Sequence, residues 1–201
     1  MRNPVLPLLA IAGLTGCLAP PMYWAESIHG RIVDADSGAP VAGAVVVADW
    51  KLYGGGIGHG GHRDSLFVEE TVSDSNGEFR FGKWGPKLRP LSGELDNAPW
   101  LVVFKAGYEY RFLPNENSSN GFGRRSDWNR HTLLLKRSFD STNERTHILD
   151  LVLSVSELQP MLLNELLREE KERDGWPAEG RLLFTHIRQI LKRGFNESPH
   201  N

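Results

Sequence analysis

Between residues 28 and 155 the chain is a series of short apolar or alternating runs separated by turn-forming residues. Such runs favour β-strands, and clusters like Asp36-Ser37-Gly38 mark the turns that end them. Seven to eight runs qualify: residues 28–33, 41–50, 66–72, 78–81, 100–104, 108–112, 132–135 and 147–155. Many short strands with turn signals between them are typical of a β-sandwich, so we expect a mainly β fold.

The segment from Ser73 to Gly77 carries the strongest turn chemistry in the chain. Asp74 and Asn76 can bond the local backbone, and Gly77 tolerates a positive φ. Because Asn-Gly between two strand-like runs is a strong hairpin signal, we predict a hairpin between the runs 66–72 and 78–81.

The periodicity changes to a helical one after residue 156. Apolar residues at 158, 161, 162, 163, 166 and 167 predict a helix over 158–173 that begins within 156–160. A second apolar stripe, at 183, 184, 187, 190 and 191, predicts a helix over 177–193 that Gly194 ends. We expect both amphipathic helices to pack on the sheet of their own chain rather than on a partner or a membrane.

The N-terminus has the pattern of a bacterial export signal. Arg2 precedes an apolar run over residues 5–14, which is too short to span a membrane. Residues 14–17, Leu-Thr-Gly-Cys, resemble the lipobox of bacterial lipoproteins. The resemblance implies a signal peptide over 1–16, lipidation of Cys17 by acyl chains such as palmitate, and a short tether over 17–27. An ordinary secretory signal or a buried N-terminal helix is the alternative.

Leu18, the residue after the lipidation site, indicates which membrane is expected to hold the chain. In the lipoproteins that this signal resembles, Asp after the Cys favours retention in the inner membrane, whereas this chain has Leu18. The resemblance therefore implies the outer membrane, with the body facing the periplasm or the surface.

The cysteine count and the net charge limit the disulfides and the partners that the chain can have. Cys17 is the only Cys in 201 residues, so no intrachain disulfide can form. The formal net charge of −2 argues against a nucleic-acid partner, which would require a basic surface.

Four motifs in order resemble the carboxypeptidase regulatory-like domain. They are GRIVD at 30–34, GAPVAGAVV at 38–46, TVSDSNGEFRF at 71–81 and KAGY at 105–108. The resemblance implies a transthyretin-like, seven-stranded β-sandwich over 28–155, with the helical appendage over 156–201 outside the family pattern. It also implies a non-enzymatic accessory role, and we expect a docking module for an envelope protein or a surface polymer. In the last motif we expect the Tyr108 ring to be buried with its hydroxyl toward water.

A glycine-rich stretch, YGGGIGHGGHRD at 53–64, offers a metal-binding alternative. Its Gly-x-Gly-x-x-Gly portion is followed by a β-type run rather than a helix, which excludes a dinucleotide site. His59 and His62 could converge on Zn²⁺ or Cu²⁺, with Asp64, His29 or His131 completing the set. The alternative is an exposed loop that holds no metal.

Catalytic signatures are missing from the sequence. No His has Glu three residues later, as the metallocarboxypeptidase zinc motif requires, and His-Glu-x-x-His and Gly-x-Ser-x-Gly are also absent. We therefore predict no catalytic residues and no cofactor other than the metal considered above. Two alternatives remain open for the tryptophans at 84, 100 and 128. Their rings either stack on glycans or close the ends of a small core.

Overall fold

The computed structural model describes residues 22–53, 65–88, 94–95, 98–116, 125–137, 159–172, 176 and 178–196. Within these ranges the protein is mainly β, with ten strands and two helices. The strands are β1 (Met22–Ala25), β2 (Ile28–Asp34), β3 (Val45–Tyr53), β4 (Ser65–Val72), β5 (Glu78–Phe81), β6 (Trp84–Leu88), β7 (Glu94–Leu95), β8 (Trp100–Phe104), β9 (Arg111–Leu113) and β10 (Thr132–Leu135). The helices are α1 (Pro160–Glu172) and α2 (Ala178–Asn196).

Two sheets and a short ribbon make a sandwich-like fold. The three-stranded sheet has the order β10-β2-β5, in which β10 runs parallel to β2 and β5 runs antiparallel to it. The five-stranded sheet has the order β4-β3-β8-β9, and β7 pairs with the end of β3. Strands β1 and β6 form a separate antiparallel ribbon. The expected mainly β fold is confirmed, although the described residues contain more than seven strands.

The first hydrophobic core lies between the two sheets. Val46, Ala48 and Trp50 of β3 face it, as do Leu101 and Val103 of β8. From the three-stranded sheet it receives the residues Ile28, Ile32, Phe79, Phe81, Leu133 and Leu135. Because successive strand residues point to opposite faces, each of these strands contributes every second side chain to this core.

The second core lies on the other face of the five-stranded sheet. Val45 and Val47 of β3 and Val102 and Phe104 of β8 point there. The helices cover them with the residues Leu162, Leu163, Leu166, Phe184 and Ile187, together with Trp176 between the helices. The expectation that the helices pack on their own sheet is therefore confirmed. The prediction that Gly194 ends the second helix is wrong, because one glycine costs a helix only about 1 kcal/mol and α2 continues to Asn196.

Carboxylates fasten α1 to the sheet at two points. Glu70 of β4 accepts hydrogen bonds from the backbone N–H groups of Met161 and Leu162, at 2.8 and 3.1 Å. In the other direction, Glu165 accepts from the N–H of Ala106 at 3.0 Å. Glu169 accepts in the same way from the N–H of Gly107, at 2.6 Å. These bonds satisfy amides at a helix N-terminus and in a turn that would otherwise lack partners.

The Asn-Gly turn has the predicted chemistry but joins different strands from those expected. Asp74 Oδ1 accepts from the N–H groups of Asn76 and Glu78, both at 2.8 Å. Gly77 has a φ of 75°, and a Cβ there would lie 2.3 Å from the Ile32 carbonyl oxygen. The predicted hairpin is wrong, since β4 and β5 belong to different sheets. Local turn chemistry fixes the reversal, whereas the face that each strand buries decides its pairing.

Part of the predicted tether is a strand. β1 lies within 17–27, with Tyr23 and Ala25 buried and Trp24 facing out. Trp24 packs over Gly85 of β6, where a Cβ would lie 2.6 Å from the Trp24 Cβ. Strands β6 and β7 were also not predicted. The run 147–155 lies outside the described residues.

Truncating a core leucine of α1 tests whether the helices are integral to the sandwich. Leu166 is 0% exposed and Leu182 is 71% exposed, so they form a matched pair. We expect Leu166→Ala to lower the free energy of unfolding by about 2–5 kcal/mol, and Leu182→Ala to change it by less than about 0.5 kcal/mol. Urea unfolding followed by tryptophan fluorescence and circular dichroism should show one transition. A separate early transition of helix signal alone in Leu166→Ala would contradict a shared core.

Candidate functional site

The predicted lipidation and metal residues lie outside the described part of the chain. This holds for Cys17, His59 and His62. Among the residues that the structure describes, no group of three or more His, Cys, Asp and Glu side chains is placed to hold a metal ion. Neither described helix is long and apolar enough to cross a membrane.

The three tryptophans considered for glycan stacking are half-buried against their own protein. Trp84 packs at 5.2 Å, ring centroid to ring centroid, on both Trp50 and Phe67. Trp100 meets Phe112 edge-on at 5.1 Å. The Trp128 indole N–H donates to the Pro114 carbonyl at 2.9 Å. These contacts agree with rings that close the ends of the core.

An open groove of about 600 Å³ runs along the three-stranded sheet. It is lined by residues 29–31 of β2, 78–80 of β5 and 130–132, which lead into β10, together with Thr71 and Val72 at the end of β4 and Asp74 in the turn that follows. Hereafter "the groove" means the space bounded by these residues.

Strand register explains why the polar side chains share this groove. His29 pairs with Arg80, and Arg31 pairs with Glu78 on one side and Thr132 on the other. Residues directly opposite one another in a sheet point to the same face. The alternate residues of these strands fill the first core, so this polar set lies on the outer face of the sheet.

The segment before β10 is hydrogen-bonded to β2, which fixes its position at the groove. The backbone N–H of Arg130 donates to the His29 carbonyl at 2.7 Å, and the N–H of Arg31 donates to the His131 carbonyl at 3.1 Å. The Asn129 side chain accepts from the N–H of His29 at 3.1 Å. Side chains about a hundred positions apart in the chain are thereby held on one surface.

Arg130 adopts an unfavourable backbone conformation at this position. Its φ is 64°, and it is the only non-glycine residue with a positive φ in the described ranges. That region costs a residue with a Cβ about 1–2 kcal/mol, because the Cβ approaches the following carbonyl oxygen. Residues held in such conformations concentrate at ligand and catalytic sites.

The groove is rich in cationic and neutral hydrogen-bond donors. It contains three arginines and two histidines against the carboxylates of Asp74 and Glu78. The Arg31 Nε donates to the Asn76 carbonyl at 3.0 Å. Within the described ranges, the side chains of Arg80 and Arg130 make no hydrogen bond or ion pair. The lining therefore offers hydrogen-bond donors to a ligand.

A second polar cluster centres on the buried carboxylate of Asp34. Its Oδ1 accepts from the N–H of Asp36 and from both the N–H and the hydroxyl of Ser37, at 2.9–3.1 Å. Its Oδ2 accepts from Arg137 Nε at 2.7 Å and from the Tyr108 hydroxyl at 3.1 Å. The hydrogen bonds from Ser37 and Arg137 hold the pKa of Asp34 well below its ordinary value of 3.8.

The Asp34 cluster is structural despite its perturbed titration. A strongly shifted pKa can mark a functional site, but here both carboxylate oxygens are saturated by groups of the same protein. Burial and the bond to Asp34 raise the pKa of Tyr108, so this hydroxyl stays protonated and donating. The expectation that the Tyr108 hydroxyl points to water is corrected, because it bonds Asp34 across the fold.

Sequence reasoning missed most of the groove. His29 and His131 were considered only as extra metal ligands, and the structure brings both to one groove. Polar alternation at residues 29 and 31 and at 78 and 80 was the available signal of an exposed sheet face. No local pattern indicated that residues 130–132 would join them.

Neutralising Asp34 tests the titration of its cluster. Since the folded pKa is depressed, the carboxylate stabilises the fold above its ordinary pKa of 3.8 and loses that effect as the pH falls below it. We expect Asp34→Asn to unfold at lower urea than the native chain near pH 6, with the gap narrowing below about pH 4. The exposed Asp36→Asn is the control. A gap of constant size from about pH 6 to pH 2.5 would contradict the assignment.

Comparison with known proteins finds matches among solved structures. No family model matches the chain, and no curated protein matches it. Among solved structures, the chain is similar to 3-chlorocatechol 1,2-dioxygenase from Rhodococcus opacus 1CP, with 14% identity and a TM-score of 0.32. The match covers 57% of this chain and 61% of that one, which is less than two thirds of that protein's length. A similarity this low carries no argument about fold family or activity.

Proposed function

We propose that this chain is a non-enzymatic outer-membrane lipoprotein, anchored through Cys17, whose sandwich docks a component of the cell envelope. The observation that carries the docking role is the groove, where exposed polar side chains stand on paired strands and the side chains of Arg80 and Arg130 make no hydrogen bond or ion pair within the described ranges. Binding sites of this kind are usually formed where a firm scaffold presents a few convergent polar groups.

The hydrogen bonding of the Asp34 cluster and the donors that line the groove support binding over catalysis. Asp34, whose pKa is strongly lowered, is hydrogen-bonded through Oδ1 to Asp36 and Ser37 and through Oδ2 to Tyr108 and Arg137. The groove offers Arg, His and Thr donors, and Thr132 lies opposite Arg31 in the three-stranded sheet. Donors without an activated nucleophile suit recognition of a ligand's oxygen atoms.

The motif turns support the proposed membership of the carboxypeptidase regulatory-like family, with its transthyretin-like sandwich. Gly38, Gly77 and Gly107 each stand in one of the resembling motifs, and each has a positive φ, at 69, 75 and 83°. The motif glycines thus occupy positions of positive φ, which glycine adopts without strain. The additional strands β1, β6 and β7 and the helical layer would be elaborations of that domain.

The ribbon of β1 and β6 supports a position close to the membrane. Met22 and Leu88 are paired in the ribbon and are 41% and 64% exposed, and Trp24 is 45% exposed. Met22 is five residues beyond Cys17, so an extended chain keeps it within about 18 Å of the lipid. Apolar and aromatic side chains at that distance suit the interface between lipid and water.

Site-specific crosslinking in intact cells tests the docking role. A photo-reactive residue at Thr132, exposed in the groove, is compared with one at Lys192, exposed on the far helical layer. We expect Thr132 to give the same envelope adduct repeatedly and Lys192 not to give it. Equal adducts at both positions, or adducts with bulk lipid alone, would contradict a docking role for the groove.

Fractionation of cells tests the anchor. We expect Cys17→Ser to release the chain from membranes, because the thiol that carries the lipid is lost. Leu18→Asp should leave the chain membrane-bound and move it toward the inner membrane. Persistent membrane attachment of Cys17→Ser would contradict lipidation at this residue.

A further inference from the structure

We propose that the groove binds a saccharide of the envelope through an oxyanion, either a carboxylate or a phosphate, that the saccharide carries. This inference rests on the proposed docking function and names the class of ligand.

The guanidinium groups are the first reason. Arg80 and Arg130 make no side-chain hydrogen bond or ion pair within the described ranges, and Arg31 uses its Nε on Asn76. Planar guanidinium donors match the paired oxygens of a carboxylate or phosphate. The hydroxyl of Thr132 can add a neutral donor beside them.

The acidic residues of the groove do not cancel this charge. Asp74 Oδ1 is occupied by the N–H groups of Asn76 and Glu78. Glu78 faces Arg31 across the strand pair, and among the residues that the structure describes no carboxylate pairs with Arg80 or Arg130. Even when the histidines are not counted, three arginines against two carboxylates leave the lining net positive on a chain whose formal net charge is −2.

The backbone of Arg130 is the second, independent reason. Glycine would adopt its φ of 64° without strain. The Arg130 side chain is exposed, so it contributes little packing that would offset the strain. Its N–H bond to His29 holds the backbone at the groove wall whatever side chain stands there. Binding of a ligand by the guanidinium would explain why arginine occupies this strained position.

Size and polarity favour a saccharide over a protein partner. A volume of about 600 Å³ lies within the ~300–1,000 Å³ of small-ligand sites and exceeds what a lone anion fills. The centre of a protein interface is depleted in charge and built on apolar or aromatic anchors. Here β2 and β5 line the groove with the facing pairs His29–Arg80 and Arg31–Glu78.

Calorimetric titration of the purified full chain in a polyoxyethylene detergent tests the ligand class. The probes are tetragalacturonate, which carries carboxylates, glucose 6-phosphate, which carries a phosphate, and neutral maltotetraose. We expect the native chain to bind at least one anionic probe, more weakly as salt is raised, and not to bind maltotetraose. Arg80→Gln and Arg130→Gly should each weaken that binding about tenfold, and Lys192→Gln should leave it unchanged.

Arg130→Gly also separates a ligand role from a structural one. Relief of the positive φ should raise the thermal midpoint by about 2–4 °C while affinity falls, which a variant that merely unfolds would not do. Unchanged affinity in both arginine variants, equal binding of maltotetraose, or no binding of either anionic probe would overturn the inference.

The two proposals can fail separately. Specific crosslinks at Thr132 without binding of either anionic probe would retain docking and overturn the oxyanion ligand. Probe binding that depends on Arg80 and Arg130, without crosslinks at Thr132, would retain the ligand class and overturn docking in the envelope.

Discussion

Over Val45–Leu52, strand β3 has no exposed side, and the rest of the fold is arranged around that constraint. All eight side chains of this stretch are buried; Val46, Ala48, Trp50 and Leu52 lie in the core between the sheets, and Val45 and Val47 face the helical layer. A slip of one residue would exchange the two sets, moving Trp50 out of the space that it fills. The buried charges of Asp49 and Lys51 approach to 3.7 Å at the end of the strand, which limits the cost of removing them from water.

The helices that cover β3 lie on the five-stranded sheet, so the two sheets differ in what covers their outer faces. The groove lies on the sheet that the helices do not cover. The helices bury the outer face of the five-stranded sheet and are held there by Glu70, Glu165 and Glu169. The three-stranded sheet has no such cover among the described residues, so its outward positions are polar. Arg31, Arg80 and His29 can therefore face a ligand without disturbing a core.

Much of the fold follows from local pattern. The strands over 78–81, 100–104 and 132–135 were predicted where the structure has them, because burial on one or both faces leaves an alternating or continuous apolar run in the sequence. The start of α1 at Pro160 falls within the predicted range of 156–160. Strand β7 has only two residues, too few for a period to show, and β6 contains Gly85 and Pro86, residue types that are depleted in strands. The hairpin prediction at Asn76-Gly77 failed because turn chemistry specifies a reversal of the chain but not the sheet that it enters.

The sequence by itself determined which residues are apolar, where the chain turns, and which strands carry arginine and histidine at alternate positions. Only the tertiary structure decided which of these meet. The parallel pairing of β10 with β2 brings Asn129 to His29 and Arg137 to Asp34, contacts that span 100 and 103 residues. That pairing exists because Leu133 and Leu135 are buried beside Ile32 in the shared core. Hydrophobic burial of this kind is non-directional, so an apolar pattern shows that a strand must be covered but not which strand will lie beside it.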